Sequence, residues 1–223
     1  IVMISYGRQT IDEDDIKEVV KVLSGDWLTQ GPIVNEFESE LNKFFNSNHC
    51  VAVANGTAAL HLVAIALGWS KNDIIITSPI TFLASANCIE YVNATTDFVD
   101  IDPNTYTLDL NLLEEKIKYI YKSGKKVKAI IGVDYAGHPC HWAEIKQIAD
   151  HYEISLINDN CHSFGSSING DAKYAIKYAD FVTQSFHPVK HITTGEGGSI
   201  FTNDKDIYEK LKLLRSHGMT KNP

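Results

Sequence analysis

Short apolar runs of strand character alternate with helical patterns along almost the whole chain, and that alternation most narrows the fold it can adopt. Residues 50–54, 73–77, 97–100, 127–133, 154–159, 180–183 and 198–202 read as strands, rich in Val, Ile and Phe and bounded by turn residues. Between them lie helical stretches. Residues 12–23 carry Ile16, Val19, Val20 and Leu23 on one face behind an acidic first turn, a surface helix, and 34–45 repeat Val34, Phe37, Leu41 and Phe45. Further helices are predicted over 58–67, through Ala84, Ala86, Ile89 and Val92, over 110–121, through Ile145, Ile148 and Tyr152, and over 204–216 with Gly218 as a stop. The order implies an α/β fold, a three-layer sandwich on a mostly parallel central sheet with ligands at the carboxyl ends of the strands.

A chain of 223 residues can bury one substantial core, and no linker, charge block or internal repeat divides it, so residues 1–223 read as one domain. The net charge is -8 with dispersed basic residues, which argues against nucleic acid and for a small-molecule ligand. No apolar run approaches ~18 residues, so no membrane span is expected. The start, Ile1 to Ser5, runs into polar sequence without a signal-peptide pattern, and a cytoplasmic protein is the expectation. Cys50, Cys88, Cys140 and Cys161 lack C-x-x-C spacing and read as free thiols. A zinc set drawn from His138, Cys140, His141, Cys161 and His162 is disfavoured, because ligands so closely spaced rarely converge on one tetrahedral ion. No metal is expected. The acidic residues Asp97, Asp100 and Asp102 read as solvated turn carboxylates.

Residues 185–198, SFHPVKHITTGEGG, place one lysine, Lys190, on a loop between two strands. Pro188 keeps His187 extended and bars a helix, while the glycines let backbone approach a ligand closely. This stretch is similar to the cofactor-lysine signature of the DegT/DnrJ/EryC1/StrS sugar aminotransferases, a family of pyridoxal-phosphate enzymes. His191 departs from the family's usual Asn or Pro on the flank of the lysine.

Three more segments bear on a site. The strand at 50–54 passes through Asn55-Gly56-Thr57 into a strong helix, a turn that presents unpaired N–H groups and a positive helix end, suited to a phosphate and equally to a plain strand-to-helix connection. NGTAAL resembles the family's phosphate-binding turn, which implies that Gly56, Thr57 and Ala58 hold the cofactor phosphate. PITFLASAN, residues 79–87, resembles the segment whose aromatic residue covers the pyridine ring, which points to Phe82. Asp159 ends a buried strand, where a carboxylate is costly without a cationic partner, or else caps a turn. NDNCH, residues 158–162, keeps the spacing of the family's E-D-A-A-H while Asn158, Asn160 and Cys161 replace its E, A and A. The resemblance implies that Asp159 meets the protonated ring nitrogen and that His162 lies beside the ring. Residues 25–32, GDWLTQGP, read as a connector with Trp27 packed, and they also resemble the family's N-terminal substrate-side segment.

By resemblance the fold is the large domain of fold-type I pyridoxal-phosphate aminotransferases. Lys190, Asp159 and His162 are its catalytic residues, and Gly56, Thr57, Ala58, Phe82 and Ser185 complete the cofactor site. The implied reaction moves an amino group from glutamate to a nucleotide-linked keto-deoxy sugar, such as a UDP-4-keto-6-deoxy hexose, for surface polysaccharide or glycan synthesis. The implied assembly is a homodimer with the site at the subunit interface. Family members continue past the RSHGM motif at 215–219 into a small C-terminal domain, which is expected to be missing here and to be needed for efficient turnover. Two other readings stand beside this one. A dehydratase would carry histidine at the Lys190 position, and an inactive cofactor-binding scaffold would share the fold without the chemistry. No G-x-G-x-x-G follows a strand, which argues against a nicotinamide site.

Overall fold

Among the described residues seven strands form one sheet: β1 (His49–Val53), β2 (Ile74–Thr77), β3 (Thr95–Phe98), β4 (Val127–Val133), β5 (Ser155–Asp159), β6 (Phe181–Ser185) and β7 (Gly198–Thr202), in the spatial order β1-β7-β6-β5-β4-β2-β3. β7 runs antiparallel to both neighbours, and every other pairing is parallel. The computed structural model describes residues 7–220, so the expectations placed on Ile1 to Ser5 and on the end of the chain at Lys221, Asn222 and Pro223 lie outside the described residues.

Among the described residues there are eight α-helices, of which all but the first pack on the sheet or on one another: α1 (Glu13–Leu23), α2 (Gly31–Phe45), α3 (Gly56–Ala66), α4 (Ala84–Glu90), α5 (Leu110–Lys122), α6 (Trp142–Tyr152), α7 (Tyr174–Tyr178) and α8 (Lys205–Arg215). Successive strand residues point to opposite faces, so the near-continuous apolar strands feed two cores. Ile130, Leu156, Val182 and Phe201 share one core with Phe45 of α2, Ile117 of α5 and Trp142 of α6. Ile131, Ile157, Phe181 and Ile200 share the other with Leu60 of α3, Ile89 of α4 and Leu211 of α8. The three-layer α/β sandwich expected from the alternation is the fold observed.

The differences are local. β3 spans Thr95–Phe98, about two residues earlier than expected, because the β-branched Thr95 and Thr96 pair with Ile74 and Ile75 of β2. α2 begins at Gly31, since Pro32 lies in its first turn, where its missing N–H costs nothing. α1 forms under an Asp12 capping box, yet none of its residues is buried, and Ile16, Val19, Val20 and Leu23 are each at least 50% exposed. Trp27 corrects the expectation of a packed ring: it is 60% exposed. It does lie against the start of α2, where a Cβ on Gly31 would fall 2.8 Å from the Trp27 Cβ and 3.1 Å from its Cγ. The four cysteines are free thiols, three buried and Cys161 half-buried. Among the described residues no helix is long and apolar enough to cross a membrane.

Candidate functional site

The segments leaving β1, β2, β4, β5 and β6 meet at one edge of the sheet and enclose a cavity of about 560 Å³. Parallel strands end there together, which puts a ligand crevice at their carboxyl ends. Asp159, Ser185 and Lys190 line it, as do Gly56, Thr57, Phe82 and His162.

The turn into α3 is built by Asn55. Its Oδ1 accepts the Ala58 amide at 2.8 Å, and its carbonyl accepts the Ala59 amide at 3.1 Å. Of the first four amides of α3, those of Gly56 and Thr57 therefore have no partner among the described residues and stand at the cavity wall. Ala58 departs from expectation: its amide is committed to the cap, and it is not among the residues lining the cavity. Gly56 is needed for the close approach, since a Cβ there would lie 2.9 Å from the Ser185 Cβ and 3.1 Å from the Cys161 Sγ. Gly198 serves the same junction, where a Cβ would come within 2.5 Å of the Asn55 carbonyl carbon.

The loop after β6 hangs from Phe186, which is buried and stands edge-on to Phe37 at 5.4 Å. The Phe186 amide donates to the Gly197 carbonyl at 2.8 Å, and its own carbonyl accepts from the Thr194 amide at 3.0 Å and the Thr193 hydroxyl at 2.8 Å. Both ends of the lysine loop are thus fixed to one anchor. Within it the Lys190 amide closes a turn on the His187 carbonyl at 2.8 Å. The side chain of Lys190 is half-buried at the cavity and makes no ion pair among the described residues.

Asp159 is 5% exposed. The Ser85 hydroxyl donates to its Oδ2 at 2.6 Å, and the Cys161 amide reaches Oδ1 at 3.4 Å. No Lys, Arg or His comes within ion-pair distance of it among the described residues. A buried carboxylate with two donors and an open cavity beside it has acceptor capacity left over. His162 lies on the loop after β5, its ring 6.3 Å from that of Tyr135. Burial and the charge of Lys190 push its imidazole below the usual histidine range, with Asp159 pulling the other way. Burial and the Asp159 carboxylate push the Cys161 thiol up. Phe82 stands at the mouth, 68% exposed, just ahead of α4.

Thr81, Tyr135 and Glu196 also line the cavity and Ser85 holds Asp159, yet none of the four stands out in the sequence as a site residue. Local pattern carries no signal for them: Thr81 lies ahead of α4 and Ser85 sits in its first turn among small residues.

Residues 9–223 match the model of the DegT/DnrJ/EryC1/StrS aminotransferase family. The UDP-4-amino-4,6-dideoxy-N-acetyl-beta-L-altrosamine transaminase of Campylobacter jejuni (serotype O:23/36) is 40% identical over 219 residues, covering 98% of this chain and 56% of that protein. Helicobacter pylori PseC, an aminotransferase involved in the biosynthesis of pseudoaminic acid, superposes with a TM-score of 0.91 at 34% identity, covering 98% of this chain and 57% of that one. A putative sugar aminotransferase from Streptococcus pneumoniae, solved in its PLP form, gives a TM-score of 0.87 at 31% identity, covering 98% of this chain and 59% of that one. The chain spans about half the length of the curated relatives it matches. With a seven-stranded sheet, a cavity at its strand ends and a family match over nearly every residue, the chain belongs to the DegT/DnrJ/EryC1/StrS aminotransferase family.

Proposed function

We propose that the protein uses pyridoxal phosphate to move an amino group from glutamate to a nucleotide-linked keto-deoxy sugar. The observation that carries this reading is the meeting, around one cavity, of a lysine, a buried carboxylate and two helix-start amides that have, among the described residues, no ion pair, no cation and no acceptor respectively. That set fits the cofactor. A phosphate suits the α3 amides, an aldehyde suits the lysine, and a protonated ring nitrogen suits the carboxylate. Both the Campylobacter jejuni and Helicobacter pylori relatives are named as aminotransferases of sugar or sugar-acid synthesis, which supports the substrate class.

In this reading Gly56, Thr57 and Ser185 hold the phosphate, and Ala58 acts only through the cap that shapes the turn. Lys190 would hold the cofactor covalently, and its amine would move a proton to and from the donor carbon. Asp159 would keep a proton on the ring nitrogen, while Phe82 and His162, which line the same cavity, would enclose the ring. The bound cofactor supplies an electron sink for the carbanion that proton removal creates. Phe82 at the mouth and its neighbour Leu83 are each about two-thirds exposed, apolar area that the second subunit of a homodimer would cover.

The test is the absorption spectrum of the protein with pyridoxal phosphate, before and after glutamate. A visible band that glutamate bleaches is expected. A band that glutamate leaves unchanged would instead describe a binding scaffold, and ammonia released from a keto sugar without glutamate would describe a dehydratase. Borohydride reduction and peptide mapping should place the pyridoxyl adduct on Lys190, and an adduct on Lys173 or Lys177 would sink the assignment.

A further inference from the structure

Asp159 is held by a chain of two hydroxyls that starts at the cavity wall. Ser85 is fully buried in the first turn of α4, with Oγ 2.6 Å from Asp159 Oδ2, and the Thr81 hydroxyl lies 2.7 Å from the same Oγ. A serine hydroxyl has one hydrogen to give, and an ionised carboxylate oxygen can only accept. The alternative acceptor, the Phe82 carbonyl, is 3.3 Å away, so the shorter, charge-assisted contact takes the hydrogen. The bond between Thr81 and Ser85 then requires Thr81 to donate. The order of donation, Thr81 to Ser85 to Asp159, follows from this counting, and each bond polarises the next.

We propose that Ser85, with Thr81 behind it, is a positioning residue for Asp159. The pair locks the carboxylate through Oδ2 and leaves Oδ1, which has only the 3.4 Å contact from the Cys161 amide, free to meet a ring nitrogen. Thr81 lines the cavity, whereas Ser85 does not, so the chain runs from the cavity wall to the buried side of the carboxylate. The role rests on the reading of Asp159 given under the proposed function.

The experiment is a double-mutant cycle on the full chain with Ser85→Ala, Asp159→Asn and both together, and with Ser85→Thr as the conservative replacement. It has a cofactor-free arm and a cofactor arm. In urea unfolding of the apoprotein, Ser85 and Asp159 should be coupled by about tenfold in the unfolding equilibrium constant, as for a hydrogen bond to a charged group. With pyridoxal phosphate, Ser85→Ala should weaken binding about tenfold and change the pH dependence of the visible band, Ser85→Thr should restore both, and Ser85→Ala should cost nothing further in the Asp159→Asn background. Additive unfolding effects would remove the bond and the proposal, whatever the cofactor does. Coupled unfolding with unaltered cofactor affinity and band in Ser85→Ala would reduce Ser85 to a structural role and overturn the proposal. If the parent protein forms no band while the apoprotein coupling persists, the reading of Asp159 has failed, and the positioning role falls with it by a separately recognisable route.

Discussion

Asp134 and Asp159 end adjacent strands on opposite faces of the sheet, and their surroundings are opposite in kind. Asp134 follows β4 and is fully buried on the face covered by α6. Its Oδ1 accepts from Trp142 Nε1 at 2.8 Å and the Cys140 amide at 2.9 Å, and its Oδ2 from the Tyr174 hydroxyl at 2.6 Å, Asn160 Nδ2 at 2.8 Å and Asn158 Nδ2 at 3.2 Å. These donors fill the roughly four lone-pair sites of a carboxylate. Asp159 has two donors and a cavity beside it. A buried carboxylate saturated by its own chain holds the fold, and one left short of donors next to a cavity is available to a ligand.

Exchanging each carboxylate for an amide separates the two roles. On the proposed function, Asp159→Asn should fold like the parent but slow the half-reaction with glutamate about a thousandfold, roughly 4 kcal/mol of barrier, because an unprotonated cofactor ring is a poor electron sink. A rate within a few-fold of the parent, measured by stopped-flow bleaching of the cofactor band, would break the comparison on its open side. Asp134→Asn should do the reverse. Its new N–H groups would face donors, so urea unfolding should show a loss of about 3 kcal/mol while cofactor affinity per folded molecule stays put.

Two glycines sharpen the contrast. A Cβ on Gly132 would fall 2.6 Å from Cη2 of Trp142, the ring whose Nε1 serves Asp134, whereas one on Gly56 would fall 2.9 Å from the Ser185 Cβ. Gly132→Ala and Gly56→Ala should each cost about 2 kcal/mol by overpacking. Only Gly56→Ala should also weaken phosphate-dependent binding, because it moves the α3 amides at the cavity wall. Calorimetric titration of both variants with pyridoxal phosphate decides this, and equal losses of affinity would mean that the two faces are not independent.

What the sequence made legible was whatever local pattern encodes. β4 and β7 have their expected bounds, since each is a bounded run of β-forming residues. Gly56, Asp159 and Lys190 reach one cavity because each ends a strand or lies in the segment that leaves one, a position that periodicity reveals. The Ser85 contact was not legible. A serine in a small-residue helix start looks like packing, and its partner is 74 residues away in the chain. Asn158 and Asn160 registered only as departures from a motif, while their work as donors to Asp134 depends on the pairing of β4 with β5. α7 has five residues, too few to show a period, and α1 showed an apolar face whose burial no local pattern can decide.

His162 gives the smallest effect and probes the open side through pH. Its imidazole is pushed below the ordinary range by burial first and by the charge of Lys190 second, against the pull of Asp159. The unfolded chain takes up that proton near roughly pH 6.5, while the folded protein resists until lower pH, so between the two the unfolded state holds more protons. Stability from this group is therefore complete above roughly pH 6.5 and is lost as pH falls through that interval. Asp134 slopes the other way: burial raises its carboxyl, so its contribution falls as pH rises from the ordinary carboxylate value through the raised one. Urea midpoints of the apoprotein between about pH 7 and about pH 5.5 should decline with acid, and His162→Gln should decline less. Lys190→Met should also flatten the curve, because removing the second cause lets the imidazole rise toward its ordinary value. If His162→Gln keeps the parent slope, the acid sensitivity belongs to other groups and the His162 wall of the cavity is wetter than its burial implies.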